Sequence, residues 1–230
     1  MDVKLRIQYD STHHFYLGIK MDGMLSHIEE LLDAKKIFER NRTPLRIRAL
    51  GIVLYHLGLS LRNCSMVLTS FTPVSHESVR LWYHKSYQLF SVEKRYREVI
   101  AVDETKIKIK GRYHLLWAAI DLDTWEVLAV WITQGRCSLE AYSFLKKVME
   151  KCENNPKILV DGGPWYKPAL DRLHADWEHV TFGLRNPIEQ WFGILKHRIQ
   201  LFYRRWPYNA SIDTAQNWLN SFTSLYHLKE

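Results

Sequence analysis

The sequence predicts an α/β chain in two parts: an all-α basic region over residues 1–97, then a mixed five-stranded sheet with flanking helices over residues 98–230. Three observations carry this prediction. Between His27 and Tyr87, apolar residues recur at helical spacing behind capping residues and prolines, whereas from Val99 onward short β-branched and aromatic runs follow one another across tight turns. Two of the buried-looking runs, Val99–Val102 and Lys157–Val160, each deliver an aspartate at the strand end, Asp103 and Asp161. The charge is also uneven: residues 1–97 hold 15 Lys and Arg against 9 Asp and Glu, and residues 98–230 hold 17 against 16.

Composition excludes several classes. The chain has 230 residues, a formal net charge of +7 and 47% hydrophobic residues, which suits an ordinary globular protein with a polyanionic partner. Cys64, Cys137 and Cys152 are scattered and odd in number, so neither a disulfide framework nor a zinc cluster is expected. There is no 18-residue apolar run and no signal-peptide pattern, so neither a membrane span nor export is expected, and a cytoplasmic setting fits.

In chain order, residues 1–24 show no clear pattern, and the pair His13-His14 reads more readily as a solvated turn than as a metal site. Ser26 and Glu29 form a capping box for a helix from His27 to about Phe38. Thr43-Pro44 opens a second helix bearing Leu45, Ala49, Ile52, Val53 and Leu57 on one face. Gly58-Leu-Ser60 ends it and caps a third, to Leu68, and Ser75 caps a fourth, to about Tyr87. Helices joined by a short turn containing Gly make a helix-turn-helix arrangement. From Arg40 to His76 there is no acidic residue, so Arg42, Arg46, Arg48 and Arg62 suit a surface laid against phosphate, and Arg80 and Lys85 could enter a groove. A small helical bundle with a solvated basic face fits the same pattern. Ser91–Arg97, highly charged, reads as a linker.

The second part opens with the Asp103 strand; Lys106–Lys110 and Tyr113–Ile120 flank a hairpin turn at Gly111-Arg112, Asp121–Thr124 makes the next turn, and Trp125–Ile132 is a third strand. Ser138 caps a helix through Glu150, which leads to the Asp161 strand. The order β-β-β-α-β-α-β-α is that of an RNase H-like fold. A fourth strand reached by a helical crossover then lies beside the first, which makes Asp103 and Asp161 neighbours. The third acid is sought in Arg185–Lys196, where Glu189 opens an amphipathic helix. Three crowded carboxylates repel one another unless cations lie between them, and hard oxygen ligands suit Mg²⁺ or Mn²⁺. Asn186, Pro187 and Glu189 also satisfy a helix-start pattern, so Glu189 could be a cap alone. Glu104, expected on the opposite face of the strand from Asp103, and Asp121, in a turn, are rivals. Trp191 suits the core better than a stacked base, and the aromatic stretch Ile212–Leu228 suits either the sheet or a dimer contact.

With these residues in view, the chain resembles the DDE transposases of bacterial and archaeal insertion sequences, in the group typified by insertion sequence six. The likeness rests on Val-Asp-Glu-Thr at 102–105, the Arg112–Asp121 strand, Val-Asp-Gly-Gly at 160–163 and Arg-Asn-Pro-Ile-Glu-Gln-Trp-Phe at 185–192. In that family the catalytic glutamate precedes a basic residue by seven positions, matched here by Glu189 and Lys196; the interval from Asp161 to Glu189 is shorter than is common. The resemblance implies cleavage at terminal inverted repeats and transfer of the freed 3′-hydroxyls into target DNA. It implies that Asp103, Asp161 and Glu189 ligate two Mg²⁺ ions, with Mn²⁺ as a substitute, and that Lys196, Arg198 and Arg185 hold phosphates. It further implies a homodimer or higher oligomer on double-stranded DNA at the nucleoid. An RNase H-like nuclease or resolvase, and a transposase-derived DNA-binding regulator, are the alternatives.

Overall fold

A computed structural model of the chain describes residues 21–38, 42–180, 183, 186–201 and 210–226. Four helices come first: α1 (Met21–Ala34), α2 (Leu45–His56), α3 (Leu61–Thr69) and α4 (His76–Lys85). Ser60 and Ser75 cap α3 and α4 as expected, each accepting a backbone N–H three residues on at 3.1 Å. The cap expected at Ser26 is not one, because α1 already begins at Met21 and Ser26 lies in its interior.

The sheet follows with β1 (Val99–Ile109), β2 (Arg112–Asp121), β3 (Val127–Thr133), helix α5 (Ser138–Met149), β4 (Lys157–Val160), α6 (Tyr166–Leu173), β5 (Trp177–His179), α7 (Asn186–Gln200) and α8 (Ile212–Tyr226). The strand order is β3-β2-β1-β4-β5, with β1, β2 and β3 antiparallel and β4 and β5 parallel to β1. This is the RNase H-like arrangement expected from the element order.

Three local readings change. Ile109 pairs with Arg112, so the first hairpin turns at Lys110-Gly111, both at positive φ, rather than at Gly111-Arg112. Only Gly is unstrained at that angle, and it occupies the second place of the turn. Cys137, not Ser138, is the cap residue of α5, and Glu140 returns to accept its N–H at 2.7 Å. Residues 91–97, read as a linker, are tied to the sheet: the Arg97 side chain is fully buried and paired with Asp121 and Glu126 beneath the β2–β3 turn.

The two faces of the sheet bury different partners. Ile100, Val102, Trp117 and Ala119 pack with α5 and α6. Ala101, Ile107, Ile109, Leu116 and Ala118 share the other core with α7, α8 and the front helices α1–α4. Trp218, Phe222 and Leu225 of α8 lie in that core, so the aromatic C-terminal stretch packs within its own chain. Among the described residues no helix is long and apolar enough to cross a membrane.

Candidate active site

The site begins with the parallel register of β1 and β4. Ile100 pairs with Ile158 and Ala101 with Leu159, so continuing two residues sets Asp103 beside Asp161. Both strands are anchored by fully buried side chains immediately before the acids, namely Val102 and Val160. Each aspartate is half-buried and fixed by a backbone donor. Asp103 Oδ1 accepts the Glu104 N–H at 2.8 Å, and Asp161 Oδ1 accepts the Gly163 N–H at 3.1 Å as the chain turns toward α6. The glycine is needed there, since a Cβ on Gly163 would stand 2.6 Å from the Trp165 ring.

Glu104 departs from expectation. Its carboxylate gathers with those of Asp103 and Asp161, one oxygen of each lying within 4.8 Å of the others. Strand alternation does send Glu104 toward the α6 face, but β1 loses its β4 partner beyond Ala101, and the acids meet around that open edge. The Glu104 side chain is 4% exposed, accepts the Tyr166 hydroxyl at 2.6 Å and pairs with Arg136 at 3.2 Å. Arg136 in turn lies over the Trp165 ring, 4.2 Å from its centroid. Burial, then the charge of Glu104 and its hydrogen bond, then Asp103 and Asp161, hold the Tyr166 phenol well above its ordinary range, so it remains a donor. Tyr166, Trp165 and Arg136 were missed in the sequence. The available signal was the aromatic pair four and five residues after Asp161.

Glu189 is exposed in the first turn of α7 and is not one of the three acids that gather. Its helix seats Ile188, Trp191, Phe192 and Leu195 in the core that also holds Ala101 and Ile107, which is the face Asp103 shares by alternation. Trp191 is fully buried and therefore core. Asp121 is occupied elsewhere: it pairs with buried Arg97 and accepts two N–H groups of its own turn.

The expected DNA-contact cations separate into groups. Arg42, Arg62, Lys85 and Lys196 are exposed. Arg46 pairs with Glu29, and Arg80 pairs with Glu77. Arg185 lies outside the described residues. Two expectations are corrected by burial. Arg48 is 5% exposed and donates to the carbonyls of Phe38 and Thr43. Arg198, 1% exposed, donates to the carbonyls of Tyr55 and His56 and packs on the Tyr55 and Trp218 rings. The Tyr55 carbonyl also accepts the Gly58 N–H at 3.1 Å, so Arg198 adds a charged donor to the carbonyls at the C-terminus of α2, where the helix dipole favours a cation.

Carboxylates converging on one edge are a donor set that fits hard divalent cations. Residues 98–229 match the DDE domain of IS240-type transposases. An uncharacterized protein of Methanocaldococcus jannaschii, MJ0017, is 43% identical over 201 residues, covering 87% of this chain and 94% of that one. The transposase of insertion sequence element IS257 in transposon Tn4003 of Staphylococcus aureus is 30% identical over 185 residues, covering 74% and 78%. Among solved structures, the HTLV-2 integrase catalytic core in complex with magnesium (trimeric form) is 20% identical over 54% of this chain and 83% of that one, with a TM-score of 0.42. The simian T-cell lymphotropic virus intasome is 15% identical over 75% and 67%, with a TM-score of 0.45. By its matched domain and its relatives, this chain belongs to the DDE transposases of prokaryotic insertion sequences.

Proposed function

We propose that the protein binds the terminal inverted repeats of its own element, and that Asp103, Asp161 and Glu189 hold two Mg²⁺ ions for cleavage and joining. Metal-dependent DNA strand cleavage and transfer is the activity of the family to which the chain belongs. The observation that carries the residue assignment is the β1–β4 register, which brings Asp103, inside β1, beside Asp161, just past the end of β4. Glu189 is included because α7 packs on the Asp103 face and because Lys196, also exposed, stands seven residues along the same helix. Asp103, Asp161 and Glu189 would hold the ions, which would supply activation of a water or a 3′-hydroxyl and charge stabilisation at the leaving oxygen of the phosphodiester. The chain's own residues supply the rest. Backbone N–H groups of Glu104 and Gly163 fix one oxygen of each aspartate, and the Tyr166–Glu104 hydrogen bond ties β1 to the start of α6.

End recognition is assigned to the front helices, where Arg42, Arg62 and Lys85 are exposed on the mutually packed α2–α4 unit, a helix-turn-helix arrangement. Two ends must be cut and joined, so we infer a dimer or higher oligomer on DNA, acting at the nucleoid. Solved HTLV-2 integrase cores include trimeric and dimeric forms.

The test is cleavage of terminal-repeat DNA by the full chain with Mg²⁺, Mn²⁺, Ca²⁺ or excess chelator. Mg²⁺ and Mn²⁺ should support cutting, while Ca²⁺, larger and looser in geometry, should support DNA binding with little cutting. Full cleavage in chelator would refute the metal reading. Equal binding of terminal-repeat and scrambled DNA would refute the recognition reading.

A further inference from the structure

The β1–β2 hairpin runs past both of its neighbours in the sheet. Pairing with β4 ends at Ala101 and pairing with β3 ends at Leu115, so from Ile107 to His114 the hairpin continues as two strands alone. Its two faces are unlike. Ile107 and Ile109 are 5% and 2% exposed in the core shared with α7, which holds the tip in place. On the other face Lys106 and Lys108 are exposed, and Lys110 is exposed in the turn that follows, with no acidic partner in an ion pair among the described residues for any of the three. Tyr113, 69% exposed and paired across the strands with Lys108, has the lysine ammonium 5.7 Å from its ring centroid. On the front helices Arg46 and Arg80 are paired with glutamates and Arg48 is buried, while Arg42, Arg62 and Lys85 are exposed.

We propose that this lysine face is a second DNA-binding surface, separate from the front helices, which carries the sugar-phosphate backbone of a duplex to and from the acidic site. The inference rests on the reading of the protein as a DNA-acting transposase. Alternate residues of a strand stand about 6.8 Å apart, close to twice the ~3.4 Å axial repeat of phosphates on one DNA strand. Lys106 lies three residues, or about 10 Å of strand, from Asp103, and its side chain shares the Glu104 face. The lysines therefore extend the line of the strand that supplies the first acid. Ammonium groups on a fixed strand read charge and spacing, not bases, so this surface binds without sequence preference. Tyr113 adds a flat apolar surface among the cations, suited to a sugar or an unstacked base.

The experiment measures binding of the full chain to a labelled duplex of arbitrary sequence over a series of salt concentrations. Each phosphate contact contributes about 0.9 to the slope of log K against log salt, so replacing Lys106, Lys108 and Lys110 together by Gln should lower the slope by about 2 to 3. Lys108→Gln alone should lower it by about 0.9, and the triple Arg variant should keep the wild-type slope. The melting temperature should not change, because these side chains are exposed. Unchanged slopes in both Gln variants, with the wild type binding normally, would overturn the hairpin surface and leave the transposase reading intact. Failure of the wild type to bind any duplex would overturn both.

Discussion

Glu104 and Glu189 stand in opposite surroundings. Glu104 is almost fully covered and holds Tyr166 and Arg136, whereas Glu189 stands in solvent at the start of α7. Replacing each by Gln distinguishes ligand from support. Glu189→Gln should reduce cleavage and joining to background while leaving DNA binding and melting temperature intact, because a lost anionic oxygen matters to a cation site and a lost cap costs at most about 1 kcal/mol. Glu104→Gln keeps an acceptor for the Tyr166 hydroxyl but loses one negative charge and the Arg136 pair. A supporting group of that kind should lower activity by about 10- to 100-fold, with partial recovery at high Mg²⁺. Near wild-type cutting by purified, folded Glu189→Gln would place the third ligand elsewhere. His84 offers a separate test in the front helices. Burial, reinforced by Arg80, pushes its imidazole down to about 4, against 6.5 when unfolded. A lowered histidine favours the folded state fully above pH 6.5, and that contribution is lost as pH falls toward 4. Denaturant midpoints of His84→Gln should therefore fall less steeply over that window than those of the wild type.

Elements are joined near the site by few residues, so small changes there should travel. The turn from β4 into α6 holds Asp161, Gly163, Trp165 and Tyr166 within six residues, and the Gly163 Cα faces the indole. Gly163→Ala must displace Trp165, and with it the ring under Arg136 and the start of the helix that presents Tyr166 to Glu104. We expect activity to fall at least tenfold at saturating DNA, since an error of about 1 Å in catalytic geometry costs about 100-fold. DNA affinity at the front helices should not change. An enzyme with wild-type turnover would show that the indole can move without disturbing the acids. At the other end of the sheet, the hairpin turn at Lys110-Gly111 rather than one residue later sets the pairing of Lys108 with Tyr113. Register fixes which side chains share a face, and here it brings the lysines together opposite the isoleucines.

Across the whole molecule, the front helices and one sheet face bury their side chains in a single core. Trp218, Leu219, Phe222 and Leu225 of α8 meet residues of α2 and α4 there, and Arg198 of α7 holds the end of α2. Each buried apolar side chain of this size contributes about 1.5–3 kcal/mol, against a total stability of about 5–15 kcal/mol for a typical protein. Separate melting of the front helices would forfeit too much of that to be populated. Thermal unfolding of the full chain should therefore be one transition, coincident by near- and far-ultraviolet circular dichroism. Arg198→Ala, which strips the buried carbonyls of Tyr55 and His56 of a donor, should lower stability by about 2–4 kcal/mol without changing the salt slope of DNA binding. Two well-separated transitions would show that residues 1–97 fold apart from the rest.

Periodicity alone determined the element order, the caps at Ser60 and Ser75, and Asp161 at the end of its strand, because each is a local property of chain spacing and backbone chemistry; Asp103, expected at a strand end, lies inside β1, which runs on to Ile109. The topology followed from that order, since a crossover helix can return β4 only to a limited set of places beside β1. Which charges face water was not a local property. Arg48 and Arg198 read like Arg42 and Arg62 in sequence, and only the docking of α2 on α7 and α8 turned Arg198 inward onto carbonyls. The +1 balance of residues 98–230 likewise conceals a separation in space: acids at the edge of β1 and β4, lysines along the hairpin beyond them. The gathering of Glu104 with Asp103 and Asp161 was decided by where β4 stops, because an unpaired strand edge lets neighbours of opposite face meet.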